Sequence, residues 1–335
     1  MGKKFWKRFF TNFHSNYSED GNSIGHKKTK SDISDMSEDS IGKEAKELFK
    51  KINDRKFINQ DDAKEILPVD DDETDRINLV HFFKKELWPQ SKASFSSPVK
   101  EILRSGAEIL DAGCGGGTWV LEMSGIYPNS NFTGIDIVPI FPSQIKPINS
   151  TFVTANLLEK LPYEDNTFDY IHFRNMMFSL SEDEYEIAVI ELVRVLKPGG
   201  WIEVEENSGV MNNLGPTGQK LKQMSDAAYF KTHGINVYIT DHIQQFLENS
   251  QQMLDNAIYL DKAIVPYGLW GGKLGATQLQ LFKWFCTNVK TKLLSIVDLT
   301  EQEYDNMVDN TCKEILDSDN VYIDICRYYS QKKYC

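Results

Sequence analysis

Three glycines, Gly113, Gly115 and Gly117, follow an apolar run that stops at Asp111 in the stretch "EILDAGCGGGTWVLEM". A glycine turn where a strand gives way to a helix lets backbone approach a ligand closely. Three nucleotide-type readings compete for it. A P-loop closes on Gly-Lys-Ser/Thr, whereas this turn closes on Gly117-Thr118 without a lysine. A dinucleotide fingerprint needs G-x-G-x-x-G; counted from Gly113, the third glycine would fall on Thr118, and the chain has G-x-G-x-G instead. Asp111, two residues before the first glycine, would repel a pyrophosphate. It suits a ligand that carries a cation and hydroxyls. A second acid, Asp136, stands within the run "IDI" 19 residues beyond Gly117. A carboxylate there can take both hydroxyls of a ribose in a bidentate hydrogen bond, a feature shared with dinucleotide folds that does not by itself discriminate.

The elements that must position these acids alternate from Ser105 onward. "AEILDAG", "NFTGIDI", "STFVTAN", "FDYIHF" and "WIEVEE" read as strands. "TWVLEMSGIYP" and "DEYEIAVIELVRVL" read as helices, ended by Pro128 and by "KPGG". Such alternation argues for a parallel sheet with helices on both faces. Beyond Asn207, residues 216–232, 241–254, 276–294 and 300–316 read as helices, and "NAIYLDKAIV" and "NVYIDICRYY" as strands, the last near the chain end. An α/β sheet that finishes with a returning edge hairpin has this pattern. Upstream, "KEAKELFKKI" (Lys43 to Ile52) reads as a short amphipathic helix. A second helix begins near Asp70 and Asp71, acids that suit the positive end of its dipole.

The chain is long enough to bury a substantial core, at 335 residues with 41% hydrophobic content. Its net charge of −12 argues against nucleic-acid binding by the whole surface. The five cysteines are scattered without a CxxC pair, and His81, His233 and His242 show no metal-ligand spacing, so neither a zinc site nor a disulfide framework is expected. A reducing compartment, cytoplasmic or nuclear, is the simplest expectation. No run approaches ~18 consecutive apolar residues, so no transmembrane segment is expected. The head "MGKKFWKRFF" interleaves basic and aromatic residues and suits weak contact with an anionic membrane or an acidic partner through residues 1–10. The rest of 1–42 is polar and is expected to be disordered.

The glycine turn, its leading Asp111 and the following acid resemble motif I and the second strand of the class I S-adenosylmethionine (SAM) dependent methyltransferases. "ANLLEKLPYEDNTFDYIHF" is similar to the family's adenine-side stretch, and "ELVRVLKPGGWIEVEE" to its helix, turn and fifth strand. These motifs stand in order across residues 105–206. The resemblance implies an α/β, Rossmann-like class I methyltransferase fold: a mostly parallel seven-stranded sheet with a C-terminal antiparallel strand and extra helices. It implies SAM as cofactor, with no metal. Asp111 would organise the loop. The backbone at Gly113, Cys114, Gly115 and Gly117 would face the methionine moiety and ribose. Asp136 would hold the ribose hydroxyls, and Ile137 would pack beside the adenine. Asn156, where many members have Asp, would meet the adenine amine, with Leu157 beside it. Phe173 and Arg174 follow the fourth strand, and Arg174 would reach the cofactor carboxylate.

Longer segments, "LPVDDDETDRINLVHFF", "GIDIVPIFP", "PYGLWGGKLG" and "NVYIDICRYYSQKK", are similar to a fungal branch that includes the LaeA-type regulators of secondary metabolism. The branch usually carries a tyrosine shortly before the first segment's proline, where this chain has Glu65-Ile66-Leu67, and a Gln-His pair where this chain has Val80-His81. Three regions are expected: a tail at 1–42, an N-terminal helical cap at 43–104, and a methyltransferase domain at 105–335 with substrate-side helices in 207–320. Tyr267 and Trp270 suit a loop lining the acceptor pocket. His172, Glu205 and Glu206 are the candidates for a general base, and the choice among them stays open. Two functional classes stay open as well: an enzyme acting on a small molecule or protein, and a SAM-binding regulator that works through a protein partner.

Overall fold

The computed structural model describes residues 48–59, 64–88 and 94–334. The tail and its basic-aromatic head lie outside the described residues. The described chain begins with an antiparallel hairpin, β1 (Phe49–Ile52) and β2 (Arg55–Ile58). This corrects the helix expected over 43–52, whose last four residues are strand. The cause is the connection Asn53-Asp54, both left-handed at φ 48° and 60°. Two left-handed central residues make the type I′ turn whose twist matches paired strands. Helix α1 (Asp71–Glu86) follows; the Glu73 N–H donates to the Asp70 side chain at 3.2 Å, and Asp71, Asp72 and Glu73 occupy the first turn. A short α2 (Lys100–Ser105) leads into the sheet.

The sheet strands are β3 (Glu108–Ala112), β4 (Asn131–Asp136), β5 (Ser150–Thr154), β6 (Phe168–Arg174), β7 (Leu196–Asn212), β8 (Met253–Pro266) and β9 (Tyr322–Lys332). Their order across the sheet is β5-β4-β3-β6-β7-β9-β8. The pairs from β5 to β7 are parallel, while β9 is antiparallel to both β7 and β8. Only β9 therefore runs against the rest, inserted between β7 and the edge strand β8. The central strands are near-continuously apolar because both faces are covered. On one face α3 (Thr118–Ile126) packs Trp119, Val120 and Met123 with Ile109, Phe132 and Tyr170. On the other, α4 (Glu182–Val195) packs Val189, Leu192 and Val193 with Leu110, Ile171 and Phe173.

The second half adds α5 (Pro216–His233), α6 (Ile243–Asn249), α7 (Gly272–Leu293) and α8 (Glu301–Leu316). These match the helices expected there, except that the one expected over 241–254 ends at Asn249 and Met253 already belongs to β8. Thr300 starts α8 with a capping box: the Glu303 N–H donates to Thr300 Oγ1 at 3.2 Å, and the Thr300 N–H donates to Glu303 Oε2 at 2.9 Å. Helix α5 packs on α8, and α7 packs on α1. The N-terminal helix and the late helices thus meet beyond the C-terminal ends of β3, β4 and β6, the end of an open α/β sheet where ligands bind.

Candidate cofactor and acceptor site

The three glycines of the turn all have left-handed backbone, at φ 68°, 53° and 77° for Gly113, Gly115 and Gly117. They differ in what a side chain would meet. A Cβ on Gly113 would lie 2.4 Å from Met176 Sδ, and one on Gly117 would lie 2.5 Å from the Phe152 ring. A Cβ on Gly115 would meet no atom within 4 Å. Gly113 and Gly117 are therefore required by packing, whereas Gly115 opens onto free space. Its N–H donates to Asp136 Oδ2 at 2.8 Å, and the Val138 N–H donates to Asp136 Oδ1 at 2.9 Å. Each carboxylate oxygen still has capacity for a further donor. Burial pushes the Asp136 pKa up, against the N–H groups of Val138 and Gly115. Burial also pushes up the Cys114 thiol beside it, which stays protonated.

A cavity of about 1130 Å³ opens beside Gly115. Asp111, Gly113, Cys114, Gly115, Asp136, Ile137, Asn156, Leu157 and Arg174 line it. The structure thus brings most of the expected cofactor set together. Asn156 closes a local turn, its Oδ1 accepting the Leu158 N–H at 3.0 Å, and its Nδ2 donates to Glu159 Oε1 at 3.2 Å. Helix α1 roofs the turn: Asn78 bonds Thr118, and Thr74, Ile77 and Val80 face the cavity.

Beneath α1 a chain of polar contacts fixes Arg174. Its Nη2 lies 2.8 Å from His81 Nδ1. An arginine only donates, so His81 accepts at Nδ1 and donates from Nε2 to Glu122 Oε2, 2.9 Å away. Lys85 and Ser94 also bond Glu122. Burial pulls the His81 pKa down despite Glu122, which keeps the ring neutral. Burial opposes ionisation of Glu122, but the hydrogen bonds from His81 and Lys85 outweigh it and hold its pKa at about 2.

Several expected residues stand elsewhere. Phe173 is fully buried against Tyr185, with ring centroids 5.1 Å apart, and belongs to the core. Gly117 serves the packing of Phe152 and is not part of the cavity wall. His172, a base candidate, is buried off the cavity. Its Nδ1 lies 2.8 Å from Asp111 Oδ1, and its ring stacks on Trp119 at 4.1 Å. The pair locks β6 to β3 and orients Asp111. Glu205 is likewise buried, bonded to Lys84 Nζ at 2.9 Å and to Arg327. Glu206 is the base candidate that lines the cavity. Tyr267 lines it too, whereas Trp270 donates to the Val321 carbonyl at 3.2 Å away from it.

The far wall holds residues the sequence did not single out: Tyr229, Gln278, Phe282 and Phe285. Their helices carry apolar stripes that look the same whether they face a core or a pocket. Among the described residues no cluster of His, Cys, Asp or Glu is placed to hold a metal ion, and no helix is long and apolar enough to cross a membrane. The residues present fit a nucleoside with a charged tail. Gly115 leaves room, Asp136 offers hydroxyl acceptors, Ile137 and Leu157 offer apolar flanks, and Arg174 offers a fixed cation.

Comparison with known proteins agrees with this geometry. Residues 109–200 match the family described as Methyltransferase domain. The chain is 28% identical over 146 residues to methyltransferase str2 of Strobilurus tenacellus, covering 42% of this chain and 48% of that protein. It is 28% identical over 163 residues to N-methyltransferase tcpN of Claviceps purpurea, covering 47% and 56%. It is 32% identical over 165 residues to demethylmenaquinone methyltransferase of Staphylococcus aureus, covering 47% and 62%. The chain spans about half the length of the curated relatives it matches. Residues 109–200 thus match a methyltransferase domain within a Rossmann-like sheet, and S-adenosyl-L-methionine is the cofactor that this fold takes in that cradle.

Proposed function

We propose that this protein transfers a methyl group from SAM to a small-molecule acceptor. The observation that carries the reading is a shared space. One cavity runs from Gly115 and Asp136, past Arg174, to a wall of Leu221, Tyr229, Leu281, Phe285 and Tyr304. Its volume, about 1130 Å³, exceeds the usual range for a single ligand pocket, about 300–1,000 Å³. A donor and an acceptor fit together. The wall is made of interior residues, since Leu221, Tyr229, Leu281 and Tyr304 are buried, and this favours a small acceptor over a protein chain.

The cofactor supplies an electrophilic methyl on a sulfonium. The protein's share is placement, which provides up to ~7–11 kcal/mol in well-oriented cases. Asp136 and the Gly115 N–H fix the nucleoside end. Arg174, held by His81, fixes the carboxylate end. Helix α1 keeps water from the reacting atoms. The likeness to LaeA-type regulators rests on sequence segments, and the shared cavity favours catalysis over a purely regulatory role. The names of the relatives point to different acceptors, so the acceptor here is set by this cavity's own residues. Incubation with methyl-labelled SAM and a panel of apolar amines, phenols and carboxylic acids tests the proposal. Label on at least one small molecule is the expected result. SAM binding with label found only on protein would overturn the small-molecule reading.

A further inference from the structure

Glu206 is part of the cavity wall and is fully buried there. Its Oε1 accepts the Met176 N–H at 2.5 Å and the Tyr185 hydroxyl at 3.1 Å. Met176 in turn packs its sulfur over Gly113, the first glycine of the turn. One residue therefore separates the carboxylate from the cofactor loop. The other oxygen, Oε2, is buried and has no hydrogen-bond partner among the described residues. A buried acceptor without a partner is costly, and a ligand group that donates to it relieves that cost.

The charges around the cavity decide what that group is. Each lining lysine already faces a carboxylate: Lys64 meets Glu184 at 2.6 Å, Lys84 meets Glu205 at 2.9 Å, and Lys222 meets Asp226. Arg76 meets Glu73 at 2.6 Å. Arg174 is committed to the cofactor end. Among the described residues an anionic acceptor finds no far-wall cation free of a carboxylate, since Arg76 over Phe285 already faces Glu73 and Lys222 faces Asp226, whereas a cationic one finds Glu206. Phe178 stands 6.0 Å from Tyr229 and 5.2 Å from Phe285, ring to ring, so the neighbouring surface is aromatic and attracts a cation as well.

We propose that the acceptor is an apolar amine, and that Glu206 holds its nitrogen and takes its proton. The inference rests on the methyltransferase reading above. The ammonium gives one proton to Glu206 Oε2, which frees the nitrogen lone pair. That lone pair forms the new C–N bond as the C–S bond breaks, its electron pair staying on sulfur as a neutral thioether. The product leaves as an N-methylammonium, and the carboxyl later releases its proton to water. Burial raises the pKa of this carboxyl to about 7, against the charge of Lys84. A base poised there is matched to proton transfer near neutral pH.

Calorimetric titration in the presence of S-adenosylhomocysteine tests the proposal with three probes of one frame: 4-phenylbutylamine, 4-phenylbutyrate and butylbenzene. The wild type is expected to bind the amine about tenfold or more tightly than the acid, as a charge-assisted hydrogen bond allows. Glu206→Gln is expected to lose that preference while keeping its affinity for butylbenzene and S-adenosylhomocysteine. A wild type that binds amine and acid equally overturns the proposal, and this arm needs no variant to fold. An unchanged preference in Glu206→Gln overturns it too. Failure of S-adenosylhomocysteine to bind the wild type would instead overturn the methyltransferase reading itself.

Discussion

Asp136 and Gly115 form the smallest unit that distinguishes this site from a phosphate loop. The carboxylate is anchored by two backbone N–H groups yet keeps acceptor capacity toward the cavity. Asp136→Ala is expected to weaken SAM binding by roughly 1.5–3 kcal/mol, the value of one charged hydrogen bond; unchanged affinity in calorimetry would contradict the ribose assignment. The glycines separate two kinds of effect. Gly115→Val fills open space at the ligand, so it should abolish SAM binding while the folded state survives. Gly117→Val drives a side chain into Phe152, so it should lower the melting temperature. Reversed outcomes in binding and thermal unfolding would contradict that division. Glu206 adds a pH effect. Its pKa is about 7 when folded against 4.5 for the free side chain. The folded state therefore binds the proton more tightly, and this group's contribution to stability falls as pH rises from about 4.5 through about 7. The loss is on the order of 3 kcal/mol. Glu206→Gln should flatten that decline in denaturant titrations between pH 5 and pH 8, and an unaltered slope would contradict the burial argument.

At the scale of elements, α1 joins roof and relay. Glu122 on α3 holds His81 and Lys85 of α1, and His81 holds Arg174 of β6. Glu122→Ala should weaken SAM binding several-fold through misplaced Arg174, although Glu122 itself does not line the cavity. Calorimetric affinity equal to wild type would mean that Arg174 needs no such support. How much of this was legible in the sequence varies by element. The strand and helix alternation over 105–206 was readable because parallel strands bury both faces and so appear as apolar runs. The glycine turn was readable because φ above zero leaves few other residues. The hairpin at Phe49–Ile58 was not read, since "KEAKELFKKI" carries helical spacing. Its signal was the Asn53-Asp54 pair, whose left-handed backbone closes a tight hairpin. The base candidates His172 and Glu205 lie off the cavity, because strand position says which end of the sheet a side chain occupies, not what covers it. Trp119 covers His172, and Lys84 with Arg327 covers Glu205.

For the whole molecule, two halves of the chain build one cavity. Residues up to Arg174 supply the cofactor cradle, and α5, α7 and α8 supply the acceptor wall. The first half was recognisable because cofactor chemistry constrains residue type at each position. The second was not, because an apolar pocket wall and an apolar core use the same residues. Thermal unfolding with and without SAM, with NAD in parallel, tests the central claim most directly. A ligand at ~100 times its dissociation constant adds about 2.7 kcal/mol of stability. The account predicts a clear rise in melting temperature with SAM, none with NAD, and no rise with SAM in Asp136→Ala. A rise with NAD alone, or none with SAM, would contradict it.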